Sequence, residues 1–418
     1  MGGPLSQGRF SIRLKGRLIM DDLGCLFCFK KYPLNVFAPF CPECGEPLII
    51  VSRKKKREFR LNKTLAVEVF EDYLPLAKVD PKLSLGEGRT PLVELSRLMR
   101  KFGLPPTFAK NECANPTASF KDRGSVVAVQ KAVSLGFSTI GTISTGNMAG
   151  STAAYAAKAG LKSVIFVKED TSKEKILAAG VYGPVLVKVR GDYGALFRKS
   201  FEIGRTYGIY FMNSVDPFRI EGYKATSFEI FLQMEKRAPD HVFVPVSAGG
   251  HIIGLIKAFY DLKEDGRIKN IPAFIGVQAK GCSPITRAFD RGTATCSRFP
   301  NPRTIAHAIS NPNPPGGNLV LKMLRDTGGC MLAVSDAEIL RAQRLLADHE
   351  GLFCDPASAT VLAAQLRQKK AKRISPRDRS VLVITGSGLK TIEDLKADAI
   401  HYQEAAVEDL ESTMAKIF

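Results

Sequence analysis

An α/β protein, with two parallel-sheet domains behind a small cysteine-bearing module, is what this 418-residue sequence predicts. Two observations carry the prediction. From about residue 90 onward short apolar runs alternate with longer amphipathic stretches, and before residue 45 two Cys-x-x-Cys pairs stand twelve residues apart. Strand followed by helix, repeated, gives parallel sheets with helices on both faces, because each parallel crossover must return over the sheet. With 45% hydrophobic residues the chain can bury two or three cores.

The cysteine pairs come first along the chain. Cys25-Leu-Phe-Cys28 and Cys41-Pro-Glu-Cys44 can each present two thiolates to one ion, and together they complete a tetrahedral four-sulfur zinc site. A redox pair or unligated cysteines are the alternatives. So little apolar sequence surrounds them that the metal is expected to hold the segment's fold. Residues 1–57 therefore read as a zinc ribbon and a basic linker, which ends in Arg53-Lys54-Lys55-Lys56-Arg57, a run taken as solvated. The other cysteines, at 113, 282, 296, 330 and 354, have no framework spacing and fit a reducing compartment.

The net charge of +19 admits nucleic acid, acidic surfaces or anionic small molecules as partners, and its spread over the whole chain does not choose among them. A ribbon followed by a basic run makes nucleic-acid binding the main non-enzyme reading. No run has the length of a transmembrane helix, and the N-terminus lacks the apolar stretch of a signal peptide. A soluble, cytoplasmic protein with no membrane partner is the expectation.

Strands are predicted at "STIGTIS" (138–144), "SVIFVK" (163–168), "PVLVKV" (184–189), "IYFMNS" (209–214), "HVFVPVS" (241–247), "AFIGVQA" (273–279) and "SVLVITG" (380–386). Helices are predicted between them at "NMAGSTAAYAAKAG", "GALFRKSFEIGRTYG", "GYKATSFEIFLQMEKR" and "DAEILRAQRLLADHEG". A smaller α/β domain is expected over 115–220. The larger one combines 58–114 with 221–418. The tail "KADAIHYQEAAVEDLESTMAKIF" reads as helical.

In such sheets ligands bind where strands end and loops begin. Three of those places carry small polar turns: Ser144-Thr145-Gly146-Asn147, Ser247-Ala248-Gly249-Gly250-His251 and Thr385-Gly386-Ser387-Gly388. A turn of this kind before a helix can hold an anion on free N–H groups, although ordinary strand-to-helix turns use the same residues. "NPTASFKDRGS" (115–125) adds a lysine. Ser119 and Asp122 have capping-box spacing, so a helix is predicted from Ser119, with Lys121 in its first turn. A cation there meets the positive end of the helix dipole. It is either a surface lysine reaching water or an amine kept neutral and nucleophilic.

"NPTASFKDRGS", "STGN", "NSVDPFRIEGYKATSFEI", "GLFCDPASA" and "TGSGLK", in this order, resemble the threonine synthase family of the pyridoxal-phosphate fold type II superfamily, over roughly residues 85 to 395. The resemblance implies two fold type II domains with the cofactor in the cleft between them. It implies that Lys121 forms the Schiff base with pyridoxal 5'-phosphate, that Asn147 bonds the ring hydroxyl, and that Ser247, Ala248, Gly249, Gly250 and His251 hold the cofactor phosphate. Thr385 would contact the pyridine nitrogen. Ser144 and Thr145 would bind the substrate, with Asn213, Ser214 and Arg219 on the phosphate of a phosphorylated amino acid.

The implied reaction turns O-phosphohomoserine and water into threonine and phosphate. A serine/threonine dehydratase or an O-phosphoserine sulfhydrylase would share Lys121 and "STGN". A homodimer is also implied, and nucleic acid is then not the expected partner. Asp122 and Arg123 read as support, Cys113 as packing, and His307 and His349 as structural. Ala118, Met148, His251, Ser387 and Thr391 depart from the family's usual residues, around the pocket and the cofactor cradle.

Overall fold

The computed structural model describes residues 22–34, 39–51, 57–144, 146–169, 171, 173–191, 193–394 and 403–417. Thr145 and Arg53 to Lys56 lie outside the described residues. The cysteine module is a three-stranded antiparallel sheet of β1 (Asp22–Gly24), β2 (Lys31–Pro33) and β3 (Ile49–Val51), in the order β2-β1-β3. Leu23, Cys25, Cys41, Leu48 and Ile50 are buried in one cluster with Val126, Val127, Tyr155 and Tyr210 of the body. The module thus shares a core with the domains behind it, which offsets its shortage of apolar residues.

Along the chain follow β4 (Leu92–Glu94) and β5 (Thr107–Asn111), then β6 (Thr139–Ile143), β7 (Lys162–Lys168), β8 (Val185–Val189) and β9 (Ile209–Phe211). Last come β10 (His241–Pro245), β11 (Ala273–Ala279), β12 (Cys330–Val334) and β13 (Ser380–Ile384). β6 to β9 form a four-stranded parallel sheet, order β8-β7-β6-β9. The others form a six-stranded sheet, order β12-β11-β10-β13-β5-β4, parallel except for β4. All seven expected strands are present: 273–279 as expected, 163–168 extended by Lys162, and the other five trimmed by one to three residues.

β4, β5 and β12 escaped the sequence reading. β4 is a three-residue edge strand, and β5 carries Lys110 in mid-sheet, where a charge breaks the apolar pattern. That lysine is buried because Glu229 pairs with it at 2.7 Å. The expected helix at 222 begins five residues earlier, at Pro217, with Asp216 as N-cap accepting from the Arg219 N–H at 2.9 Å. The helix Pro217–Gln233 therefore runs through residue 220, and it lies against the helices Lys121–Ser134 and Gly250–Glu264. Contact is close enough that a side chain at Gly222 would meet the Arg123 carbonyl at 2.1 Å.

Arg57 corrects the reading of the basic run as solvated. Its guanidinium is buried and bonds Asp261, Glu264 and Asp265 at 2.7–2.8 Å. No helix among the described residues is long and apolar enough to cross a membrane. The tail ends in the helix Leu410–Ile417, with Val407, Leu410, Met414 and Ile417 exposed.

Candidate active site

The polar turns lie where the sequence placed them, after the carboxyl ends of β6, β10 and β13. What brings them to Lys121 is a short antiparallel contact between Ala118–Phe120 and Thr385–Ser387. Ser119 bridges Gly386, the Phe120 N–H donates to the Thr385 carbonyl at 3.0 Å, and the Ser387 N–H to the Ala118 carbonyl at 3.1 Å. Ala118 reaches this position at φ 53. The left-handed region costs a β-carbon roughly 1 kcal/mol, which glycine would not pay.

The helix starts at Lys121, two residues later than expected, and the capping box is absent. Phe120 is the N-cap without a side-chain bond, and the Ser119 hydroxyl is buried with no partner among the described residues. Asp122 turns backward instead. Its carboxylate accepts from the Thr117 N–H at 2.7 Å and from the Thr117 and Ser151 hydroxyls at 2.6 Å, so it holds the loop before the lysine.

Lys121 has no ion-pair partner among the described residues, and its Nζ lies 4.2 Å from the Phe120 ring centre. Burial disfavours its ammonium, Arg219 repels it, and Asp355 opposes both too weakly, so its pKa falls to about 7. The neutral-amine reading of the sequence is the one this environment supports.

Arg219 is fully buried. Its guanidinium donates to the Ser125 hydroxyl at 3.1 Å, the Tyr223 hydroxyl at 3.0 and 3.2 Å, and the Lys121 carbonyl at 3.4 Å. No carboxylate pairs with it among the described residues. Ser125 in turn meets Ser151 at 2.6 Å, which links Arg219 to Asp122 beneath Lys121. Asn213 is also buried, with its amide oxygen accepting from the Ile143 N–H at 3.1 Å and its nitrogen donating to the Ser200 hydroxyl at 3.0 Å. Those bonds pin the end of β6 to the turn that carries the half-buried Ser214.

At the β10 turn, Gly249 takes φ +101 and caps the helix Gly250–Glu264. A side chain on Gly250 would strike the Ser214 carbonyl at 2.3 Å, so this turn and the Ser214 turn touch. His251 stacks on Phe120 at 3.8 Å, and both its ring nitrogens are buried without a partner among the described residues. Burial, with Lys121 and Arg123 adding to it, holds the imidazole neutral. Ser144 is half-buried, its hydroxyl accepting from the Gly146 N–H at 3.3 Å. Thr385 shares a 2.9 Å bond between hydroxyls with Ser358. Burial pushes the Cys113 thiol up to about 12, which suits packing and not attack.

Pyridoxal phosphate needs an unpaired amine, a polar group for its ring oxygen and an N–H cradle for its phosphate. The residues present fit it. Among the described residues Lys121 has no ion-pair partner and His251 is an orphaned buried donor and acceptor, and the first N–H groups of the helix after Gly249 have no intrahelical acceptors.

Comparison with known proteins agrees. The family model "Pyridoxal-phosphate dependent enzyme" matches residues 83–386. Threonine synthase of Methanocaldococcus jannaschii is 37% identical over 373 residues, 88% of this chain and 92% of that protein. The chain belongs to the pyridoxal-phosphate-dependent enzyme family, on its threonine synthase branch. Threonine synthase of Methanosarcina acetivorans is 34% identical over 371 residues, 88% of this chain and 91% of that one. Among solved structures, maize serine racemase superposes with a TM-score of 0.62 at 20% identity, over 79% of this chain and 92% of that one. A fungal L-serine ammonia-lyase from Rhizomucor miehei does so at 0.63 and 20%, over 73% and 97%. These likenesses speak to the fold.

In this pyridoxal-phosphate-dependent enzyme three further polar residues stand beside these turns, inside motifs of the family resemblance that carry no expectation for them. Asp355 caps the helix Pro356–Lys370 and stands over Gly386. Ser358 accepts from the N–H groups of Thr385 and Gly386 at 2.9 and 3.0 Å. Lys390 donates to Asn147. The strings "CDPAS" and "TGSGLK" were the available signals.

The sulfurs of Cys25, Cys28, Cys41 and Cys44 lie within 4.8 Å of one another. Tyr32 holds its hydroxyl 3.3 Å from the Cys41 sulfur, an outer-shell contact of the kind that orients metal ligands. Four convergent thiols fit a structural zinc ion.

Proposed function

We propose that this enzyme converts O-phosphohomoserine and water to L-threonine and phosphate, with pyridoxal 5'-phosphate on Lys121. The observation that carries the reading is Arg219, a buried guanidinium beside the catalytic amine with hydroxyls and a carbonyl for partners and no carboxylate. Asp216 bonds the Arg219 backbone N–H and not the guanidinium, so the buried cation has no directly paired carboxylate among the described residues, and a dianionic substrate group supplies that partner. An enzyme acting on serine or threonine has no such anion to receive.

When bound, the cofactor supplies an electron sink that makes the substrate's α- and β-hydrogens removable. Lys121 Nζ, neutral above about pH 7, takes and returns those protons, and one base can serve both because its pKa sits near working pH. Arg219 and Ser214 receive the substrate phosphate, which leaves from the γ-carbon, and Asn213 fixes the turn that presents Ser214. Ser144 and Thr145 hold the substrate's other end. Asn147 donates to the cofactor's ring oxygen, the loop Ser247 to His251 cradles its phosphate, and Thr385 offers the ring nitrogen a neutral hydroxyl.

The four ribbon cysteines hold zinc in a closed, structural site, and no step runs through it. The scattered free cysteines suit the cytoplasm. The exposed apolar side of the C-terminal helix is the surface expected to pack in a homodimer.

The test is proton and phosphorus NMR of the cofactor-loaded enzyme with O-phosphohomoserine. Threonine and inorganic phosphate are expected to appear in step. A substrate left untouched, with a 2-oxo acid formed from serine or threonine, or a thiol product from O-phosphoserine and sulfide, would replace this reading with a dehydratase or a sulfhydrylase.

A further inference from the structure

We propose that Lys390 is a positioning residue that holds the Asn147 amide with its NH2 end turned to the cofactor's ring oxygen. The inference rests on the reading of Asn147 as the donor to that oxygen. Lys390 belongs to the 3-10 segment Gly388–Asp394 that follows the β13 turn, so it reaches the cleft from the larger sheet. Its Nζ donates to Asn147 Oδ1 at 3.0 Å and to the Thr117 carbonyl. One ammonium therefore ties the first residue of the Asn147–Lys158 helix to the loop four residues before Lys121.

The chemistry of the pair sets the orientation. An ammonium has three donors and no acceptor, so it faces the amide oxygen and leaves the NH2 as the free end. That end lies over the β13 turn. A side-chain carbon at Gly386 would sit 3.0 Å from Asn147 Nδ2 and 2.7 Å from Asp355 Oδ2. The residues on either side of Gly386 are those paired with the Lys121 loop. An asparagine amide without a fixed partner turns about a broad, roughly two-fold torsion. It would offer its oxygen to the cleft about as readily as its NH2, and an anionic ring oxygen rejects the first. Burial lowers the pKa of Lys390, and Asp122 and Asp355 oppose that fall in favour of the ammonium.

A double-mutant cycle on cofactor binding tests this. Apo-protein would be titrated with pyridoxal 5'-phosphate for the wild type, Lys390→Met, Asn147→Ala and the double variant, following the visible absorbance and its maximum. Each single change is expected to weaken binding about tenfold, the scale of a hydrogen bond to a charged group. The double variant is expected to bind as Asn147→Ala does, since Lys390 has nothing left to orient. Lys390→Arg, which can reach both oxygens, is expected to recover most of the affinity and the wild-type absorbance maximum. Losses that multiply in the double variant would overturn the proposal alone, because Lys390 would then act independently of Asn147. Unchanged binding in Asn147→Ala would overturn the role of Asn147 together with the proposal built on it.

Discussion

Lys121→Ala is expected to lower threonine formation by roughly 10²- to 10⁴-fold or more, the range lost with a positioned acid–base group, and to abolish the covalent chromophore. The wild-type amine should also betray its environment through pH. Burial, and then Arg219, bring its pKa to about 7, so the rate at which apo-protein captures pyridoxal 5'-phosphate should rise with pH through about 7 and level off. An ordinary lysine would keep accelerating toward its usual pKa of about 10.4. Stability carries the same sign. Between those two values the unfolded chain holds a proton at this residue that the folded chain lacks, so apo-protein gains stability from Lys121 as pH rises across the window. Lys121→Ala should remove both effects. A capture rate that climbs steadily to pH 10 would mean the amine is not held neutral.

Arg123→Met is expected to destabilise the protein by about 3–5 kcal/mol, the cost of breaking a buried ion pair from one side. Arg123 bonds both oxygens of Glu112 and both of Glu229 at 2.5–2.8 Å, and the Thr90 hydroxyl at 3.0 Å, with every charged member of the network buried. Among the described residues Lys110 forms its ion pair with Glu229 and not with Glu112, so removing Arg123 leaves the Glu112 carboxylate buried without a bonded cation. Methionine fills similar volume, which isolates the charge from the cavity. Burial works against the charged form of Glu229, yet Arg123 and Lys110 outweigh it and hold the carboxylate at about 2. Its contribution is therefore present above the usual carboxylate range and lost as pH falls toward 2. Denaturant unfolding at neutral pH measures the first effect. A change below about 1 kcal/mol would mean the network is not under load. Arg123 stands two residues after Lys121, so the variant should also load cofactor poorly at temperatures where it remains folded.

The parts of this molecule that follow from local chemistry were legible in the sequence. The apolar runs of the two parallel sheets, the paired cysteines and the turns after β6, β10 and β13 announce themselves by composition and spacing. The helix boundary at Lys121 did not, because Ser119 and Asp122 have the spacing of a capping box while the long-range contact with Thr385–Ser387 turns both side chains elsewhere. β5 was hidden by Lys110, whose burial depends on Glu229 over a hundred residues away. Arg57 looked like the end of a solvated run because its acidic partners come from a helix two hundred residues on. Lys390 and Asp355 were visible as letters in motifs, but their meeting with Asn147 over Gly386 belongs to tertiary structure. Sequence patterns report periodicity and local pairing; they do not report which charges will be neutralised across the fold.

The reaction itself is tested most directly by running O-phosphohomoserine turnover in ¹⁸O-labelled water and weighing both products. Loss of phosphate by cleavage at the γ-carbon, followed by addition of water at the β-carbon, places the label in the threonine hydroxyl and leaves the phosphate unlabelled. Label in the phosphate, with homoserine as the organic product, would mean hydrolysis at phosphorus and would contradict the account in which Arg219 holds a leaving phosphate while Lys121 moves protons on carbon.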